Sequence, residues 1–120
     1  MNPQPPGTSH RGQAAEAIAA EYLIRQGLAI LHRNFRCRVG EIDLIARDGD
    51  AIVFVEVRMR RRSDFGGAAE SITAAKRARL VRAAGFYLSG RRQLPQCRFD
   101  ALLVSGPDRR IEWIRDAFGA

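Results

Sequence analysis

The alternation of hydrophobic and polar positions predicts seven elements in the order helix, three strands, helix, two strands. Apolar residues recur at helical spacing over 12–27, where Gly27 is placed to end the helix, and again over 68–88. Extended runs are predicted at 28–37, 40–47, 51–58, 97–104 and 110–115. The chain has no internal repeat and no interdomain linker. We therefore expect one α/β domain over 11–118, preceded by a proline-rich disordered tail over 1–10.

The predicted strand over 51–58 carries apolar residues on both of its faces. Val53 and Val55 lie on one face, and Ile52 and Phe54 begin the other. Strands of this kind are typical of the centre of a sheet that is covered on two sides. We therefore expect this strand to be central.

An Asp48-Gly49 pair separates the second and third predicted strands and indicates a β-hairpin. With these two residues as the loop, Asp43 faces Phe54 and Glu41 faces Glu56 across the hairpin. Side chains alternate along a strand, so the three acids project from one side. A four-residue loop gives the same pairing, whereas a three-residue loop would place Asp43 and Glu56 on opposite faces.

Carboxylates gathered on one face of a hairpin suggest a divalent cation, because like charges opposed across strands are destabilising. Asp43 and Glu56 suit Mg²⁺ or Mn²⁺, which bind through one or two carboxylates and keep waters and substrate phosphates. Glu41 either joins them as a third ligand or points outward where its strand begins. The alternative for all three acids is pairing with nearby arginines on a solvated face.

Two charged residues on the predicted helices are further candidates. Lys76, the only lysine, falls inside the apolar arc of the second helix, together with Ala75, Leu80 and Ala83. Its ammonium either snorkels to water or is aimed at a phosphate or at the carboxylates. Glu16 lies at the edge of the first helix's apolar stripe, where it either reaches water or leans towards the carboxylate face.

The overall charge favours a polyanionic partner. The formal net charge is +7 and the pI is near 10.9, which points first to nucleic-acid phosphates. The alternative is that the arginine-rich composition reflects genome bias, since all the basic residues but Lys76 are arginine. Arg58, Arg60, Arg61 and Arg62 are candidates for a clamp on a nucleic-acid backbone, the alternative being a solvated basic loop.

Other functional classes are disfavoured. No apolar run approaches the ~20 residues that span a bilayer, and the N-terminus lacks the features of a secretory signal, so we expect a cytoplasmic protein without a membrane partner. Cys37 and Cys97 have neither a CxxC motif nor a histidine at ligand spacing. Reduced thiols are favoured over a disulfide or structural zinc. His10 and His32 have no partners at metal spacing.

The spacing Asp43-(12 residues)-Glu56-Val57-Arg58, on a hairpin that follows a helix bearing Glu16, resembles the PD-(D/E)xK nuclease superfamily. More closely, the chain resembles the YraN family of uncharacterised, endonuclease-like bacterial proteins over about 10–118. The matching segments are GQAAEAIAAEYLIRQG, ILHRNFRCRVGEIDLIARDGD, IVFVEVRMRRRSDFGGAAESI, the Lys76 region, RFDALLV and IEWIRDAF. The resemblance implies a restriction-endonuclease-like three-layer fold, in which helices flank a central mixed sheet of about five strands.

The resemblance also implies a metal site like that of archaeal Holliday-junction resolvases. Asp43 and Glu56 would be the metal ligands and Glu16 the first-helix acid. Arg58 occupies the position where active members of the superfamily usually carry lysine. Arginine stays protonated, so it orients or stabilises phosphate charge but does not activate water through a shifted pKa. Our hypothesis is that Lys76 supplies the missing ammonium.

The expected function is therefore nucleic-acid binding, with DNA the first candidate, and Mg²⁺- or Mn²⁺-dependent hydrolysis of branched or flapped DNA. One alternative is a non-catalytic DNA- or RNA-binding module that keeps the fold. Another is a scaffold whose basic face contacts an acidic protein. A homodimer is expected only by analogy with resolvases, which need two sites to cut two strands.

Overall fold

The computed structural model describes residues 10–60, 73–105 and 110–118, which form two helices and five strands. These are α1 (His10–Arg25), β1 (Ala29–Cys37), β2 (Gly40–Asp48), β3 (Ala51–Arg60), α2 (Ala74–Leu88), β4 (Cys97–Ser105) and β5 (Ile111–Phe118). The predicted order of elements is confirmed. Neither described helix is long and apolar enough to cross a membrane. Residues 1–9 of the predicted tail, residues 68–72 of the second predicted helix, and the side chains of Arg60, Arg61 and Arg62 lie outside the described residues.

The strands form one mixed sheet in the order β1-β2-β3-β4-β5. The pairs β1–β2, β2–β3 and β4–β5 are antiparallel, and β3–β4 is parallel. A parallel pair needs a crossover connection, which here contains α2. The strand β3 lies at the centre, as its two apolar faces predict.

The helices cover opposite faces of this sheet. On the α1 side, buried residues of α1 pack against Val53, Val55 and their neighbours. On the α2 side, Leu80 and adjacent alanines of α2 pack against Ile52 and Phe54. Fully burying one such apolar side chain contributes about 1.5–3 kcal/mol. The result is the expected three-layer α/β fold.

The helix α1 ends close to where the sequence predicts. Gly27 has a φ of 96°, a left-handed conformation that glycine adopts without a steric penalty from Cβ. The N–H of Leu28 then donates to the carbonyl of Leu23 at 3.0 Å. Ala19 and Ala20 are fully buried. Their small side chains bring the helix close to the sheet.

The buried arc of α2 is narrower than predicted. Thr73 caps the helix, its hydroxyl accepting from the N–H of Lys76 at 3.2 Å. Leu80 and Ala83 are buried, but Ala75 is exposed. At ~100° per residue, Ala75 lies about 140° from Leu80 around the axis, whereas Lys76 lies about 40° from it. The prediction was wrong for Ala75, because the arc was drawn too wide.

The β2–β3 hairpin has a different loop from the one predicted. Asp48 pairs with Ala51, so the loop residues are Gly49 and Asp50 instead of Asp48 and Gly49. Gly49 has a φ of 60°. A type II′ turn needs a positive φ at its first loop position, which explains why glycine stands there.

This shift changes the predicted cross-strand partners by two residues. Phe54 pairs with Ile45 and not with Asp43. The regular pairing ends at Leu44 and Val55, so it does not pair Glu41 with Glu56. The predicted pairs were therefore wrong. A shift of two preserves the side-chain faces, since side chains alternate with a period of two.

Candidate functional site

Asp43 lies at an irregularity in β2. Its neighbours Ile42 and Leu44 are buried on the α2 side and the α1 side respectively, although residues two apart in a regular strand share a face. Asn34 falls between the β1–β2 pairs next to Asp43 and has a φ of 53°. Irregularities of this kind re-aim side chains and are common beside functional sites. Asp43 thus belongs to neither apolar layer.

A hydrogen bond ties the Asp43 carboxylate to the next strand. The N–H of Val57 donates to Asp43 Oδ2 at 2.8 Å. The regular β2–β3 pairing ends at Leu44 and Val55, so the carboxylate takes over as acceptor where backbone pairing stops. This bond holds Asp43 beside Glu56, the residue that precedes Val57.

Glu56 forms an ion pair that links β3 to α2. Lys76 Nζ lies 2.6 Å from Glu56 Oε1. The Glu56 side chain is 6% exposed and that of Lys76 is 37% exposed. Of the two placements considered for Lys76, the structure has the ammonium in contact with the carboxylate cluster.

Burial raises the pKa of both central carboxyl groups. For Glu56, desolvation and then the charge of Asp43 raise the pKa to about 7, against the opposing effect of Lys76. For Asp43, desolvation raises the pKa to about 6; the Val57 N–H lowers it and the charge of Glu16 raises it. One ammonium therefore leaves negative charge in this site incompletely compensated.

Glu16 extends the acidic cluster from α1. Its pKa is raised by burial, while hydrogen bonds with the side chains of Asp43 and Asn34 lower it. A hydrogen bond between two carboxyl groups requires a proton on one of them. Among the described side chains, no three of the types His, Cys, Asp and Glu come together closely enough to hold a metal ion by themselves.

These side chains line a cleft of about 960 Å³ that includes the carboxyl end of β3. Ligands of open α/β sheets commonly bind outside the carboxyl ends of strands. The cleft is lined by Glu16, Asp43 and Glu56 together with five basic residues. These are Arg36, Arg38, Arg58, Lys76 and Arg79. An acidic cluster bordered by arginines is suited to a cation and a phosphate together.

Glu41 lies away from the buried acids. Its side chain is 64% exposed, and its Oε2 lies 3.4 Å from Arg36 Nε. It lines the same cleft and acts on Glu16 through its charge. The structure thus brings together Asp43, Glu56, Glu16 and Lys76, while Glu41 pairs with an arginine nearer solvent.

Sequence reasoning missed the cleft residues Asn34, Arg38 and Arg79. Asn34 could have been found from its position in a predicted strand, since Asn is depleted in strands and enriched at positive φ. The two arginines carried no local signal. Their place depends on Gly40, which lets the β1–β2 turn approach α2: an added Cβ would lie 2.9 Å from the Arg79 carbonyl oxygen.

A second buried carboxylate, Asp100, has a structural role. It is fully buried and accepts from Arg98 Nε at 3.0 Å, Trp113 Nε1 at 2.9 Å and the Asp116 N–H at 2.9 Å. Arg98 also pairs with Asp48 at 2.9 Å. This network joins β4, β5 and the end of the hairpin. The signal in the sequence that could have indicated this network is Asp100 itself, a single acid within the apolar run of β4.

Comparison with known proteins places these residues within a recognised family. The model of the uncharacterised protein family UPF0102 matches residues 15–104. A UPF0102 protein of Nitrosomonas europaea is 56% identical over 110 residues, covering 91% of this chain and 93% of the relative. One from Dechloromonas aromatica is 57% identical over 113 residues, covering 94% and 92%. One from Ralstonia nicotianae is 50% identical over 122 residues, covering 98% and 92%.

Proposed function

The chain belongs to UPF0102, the YraN family, and we propose that it binds nucleic acid and hydrolyses phosphodiester bonds with Mg²⁺ or Mn²⁺. The observation that carries this proposal is the meeting of Asp43 and Glu56 in a cleft lined by arginines. Both carboxyl groups have raised pKa values. Perturbed groups that converge in a cleft mark candidate functional sites.

The donor set fits a hard divalent cation. Asp43 and Glu56 offer carboxylate oxygens, and Mg²⁺ is commonly held by one or two carboxylates plus waters and substrate phosphates. Such an ion does not need three protein ligands. It would also compensate the negative charge that Lys76 leaves in the site. A bound ion would stabilise charge developing on the phosphate and activate water for attack.

The chain's own residues would hold and orient the substrate. Arg58 and Arg38 line the cleft, and their guanidinium groups suit bidentate contacts to phosphate oxygens. Lys76 contacts Glu56 and lines the same cleft as Arg58, the position where the superfamily usually carries lysine. The proposed setting is the cytoplasm, with DNA as the first candidate substrate. Cutting both strands would require two sites, so a homodimer is part of this proposal.

A non-catalytic nucleic-acid-binding module is the second candidate. The observation that favours it is the Lys76–Glu56 contact at 2.6 Å, because an internal cation already partners one of the two proposed ligands. Arg58, which cannot activate water through a shifted pKa, points the same way. In this case the arginines would bind phosphate, while Asp43 and Glu56 would stabilise the fold through their contacts with Val57 and Lys76.

A cleavage assay separates these functions. Linear, flap, fork and four-way DNA substrates are incubated with Mg²⁺ or Mn²⁺, using the wild type, Asp43→Asn, Lys76→Ala and the control Glu21→Gln. Glu21 is an exposed acid of α1. We expect the wild type and Glu21→Gln to cut, and Asp43→Asn to lose at least a hundredfold in rate, because a metal ligand is removed.

Lys76→Ala should also be impaired if its ammonium replaces the lysine missing at position 58. Full activity in this variant would contradict that role and leave the metal site intact. DNA binding without cleavage of any substrate would support the non-catalytic module instead.

A further inference from the structure

A basic and aromatic surface continues from the cleft along α2. Arg79, Arg82 and Phe86 are all exposed. At ~100° per residue, they lie within about 60° of one another around the helix axis. Phe86 is 49% exposed, so part of a large apolar ring stays in water one helical turn beyond Arg82.

Neighbouring aromatic residues support the exposed ring of Phe86. Its centroid lies 6.4 Å from that of Phe35 in β1. Phe35 makes edge-to-face contacts with Tyr87 at 5.3 Å and with His32 at 5.5 Å. Tyr87 in turn packs against Phe54 of the core at 6.1 Å. Phe86 is therefore an exposed member of an aromatic cluster that is anchored in the core.

The helix connects this ring to the carboxylate site. Arg79 lines the cleft, and its backbone is in close contact with Gly40 of the β1–β2 turn. Ten residues separate Lys76, which contacts Glu56, from Phe86, a distance of ~15 Å along the helix. A stacked strand of nucleic acid covers that distance with about four nucleotides, at ~3.4 Å each.

We propose that Arg79, Arg82 and Phe86 bind an unpaired segment of nucleic acid that leads away from the cleft. The arginines contact its phosphates, and one base stacks on Phe86. Arginines along a groove combined with an aromatic face are the usual means of binding single strands. A paired duplex offers no free base face at this position, so the surface selects flapped, forked or single-stranded substrates.

This inference deepens the proposed function and rests on it for the reacting end of the substrate. Binding by the α2 surface itself requires neither metal nor hydrolysis. An acidic protein would pair with the arginines and meet the ring only where it carries an apolar side chain, whereas every nucleotide of a single strand offers both a phosphate and a base that can stack. The aromatic face therefore favours nucleic acid as the occupant.

The test is fluorescence anisotropy with a labelled 12-nucleotide single-stranded DNA in EDTA, which prevents metal-dependent cleavage. We expect Phe86→Ala to weaken binding about tenfold, in line with the stacking of one base, and Phe86→Trp to retain it. Leu94→Ala is the control, since Leu94 is 75% exposed and precedes the start of β4, at the opposite end of β3 from the cleft. Arg79→Ala and Arg82→Ala should each reduce the salt slope of log K by about 0.7.

Two further readouts make the result decisive. In Phe86→Trp, bound oligonucleotide should quench indole fluorescence beyond the change seen for Trp113 in the wild type. Binding of the matched duplex should be unaffected by Phe86→Ala. Equal single-strand affinity of Phe86→Ala and wild type, with both variants folded by circular dichroism, would overturn the inference. An equal loss of affinity for a poly-glutamate peptide would overturn it in favour of an acidic protein.

Failure of this inference is distinguishable from failure of the proposed hydrolysis. Cleavage that depends on Asp43, with no effect of Phe86→Ala on single-strand binding, would leave the hydrolase standing and reject the stacking surface. Single-strand binding that depends on Phe86, with no cleavage in the presence of any metal, would support the stacking surface and reject the hydrolase. Absence of any DNA binding by the wild type would reject both.

Discussion

Glu56 is buried, and the positive charge of Lys76 does not fully compensate the effects of burial and of the nearby Asp43 carboxylate. Lys76 contacts it directly, yet desolvation and Asp43 still raise its pKa from 4.5 to about 7. A cation bound between Asp43 and Glu56, as proposed above, would supply the missing positive charge.

The raised pKa values predict that stability depends on pH. A carboxyl group whose folded pKa is raised contributes stability below its unfolded pKa, and this contribution is lost as pH rises through the folded pKa. For Asp43 and Glu56 that window runs from about 4 to about 7. Without metal, the Tm should therefore fall between pH 5 and pH 8. Thermal denaturation in EDTA across this range checks the prediction.

The variants Glu56→Gln and Glu21→Gln serve as the matched pair for this measurement. Glu56→Gln should flatten the decline and melt above the wild type at pH 8, because the uncompensated charge is gone. Glu21→Gln changes an exposed acid and should follow the wild-type curve. If the Tm of Glu56→Gln declines with pH in parallel with that of the wild type, ionisation of the Glu56 carboxyl does not destabilise the fold.

Sequence reasoning placed Asp43 and Glu56 near each other although it assigned the wrong loop residues to the hairpin. The predicted loop was misplaced by one residue, but Asp43 and Glu56 still lie together, because the Val57 N–H holds the Asp43 carboxylate beside Glu56 where the regular β2–β3 pairing has ended. An asparagine inside a predicted strand was a usable signal for Asn34, but its place beside Asp43 depends on a local irregularity of β1 and β2 that periodicity does not predict. Lys76 was identified from its angular position alone, and its contact with Glu56 required the helix to be placed on the sheet.

At the scale of elements, the β1–β2 turn is held close to α2 by a glycine. An added Cβ at Gly40 would lie 2.9 Å from the Arg79 carbonyl oxygen. This oxygen is a backbone atom of a packed helix, so it cannot easily move away. Gly40→Ala should therefore destabilise the fold by about 1–3 kcal/mol through overpacking. By displacing the turn that carries Arg38, it should also weaken DNA binding.

Gly85→Ala is the control for this prediction. Gly85 lies inside α2, and nothing is within 4 Å of the position its Cβ would take. Alanine there should stabilise the helix by about 0.5–1 kcal/mol. Urea denaturation of both variants gives the comparison. Equal effects of the two substitutions would mean that the close approach at Gly40 is unimportant.

Element order and the central position of β3 could be predicted because they follow from hydrophobic periodicity. The parallel pairing of β3 with β4 is not encoded by periodicity, and the family resemblance implied only that the sheet is mixed. The Asp100 network is a similar case. Its partners lie on β5 and at the hairpin end, so the lone acid in an apolar run could be noticed but not assigned.

At the scale of the whole molecule, basic residues and the acidic cluster line the same cleft. A net charge of +7 would repel a metal ion in general, but the cleft gathers Glu16, Asp43 and Glu56 behind a lining of arginines. Long-range attraction of a polyanion and local binding of a cation are thereby compatible. Ionic strength should weaken the proposed DNA binding strongly while affecting the proposed metal binding at the buried carboxylates less.

Calorimetric titration of the metal-free protein with Mn²⁺ at pH 8 tests the central claim most directly, since it asks whether Asp43 and Glu56 hold a cation. We predict one saturable site in the wild type and in Glu21→Gln, and none in Asp43→Asn or Glu56→Gln. At pH 6 the affinity should drop, because the ion must then displace protons. Wild type that releases no binding heat, or an Asp43→Asn variant that binds as tightly, would contradict the claim.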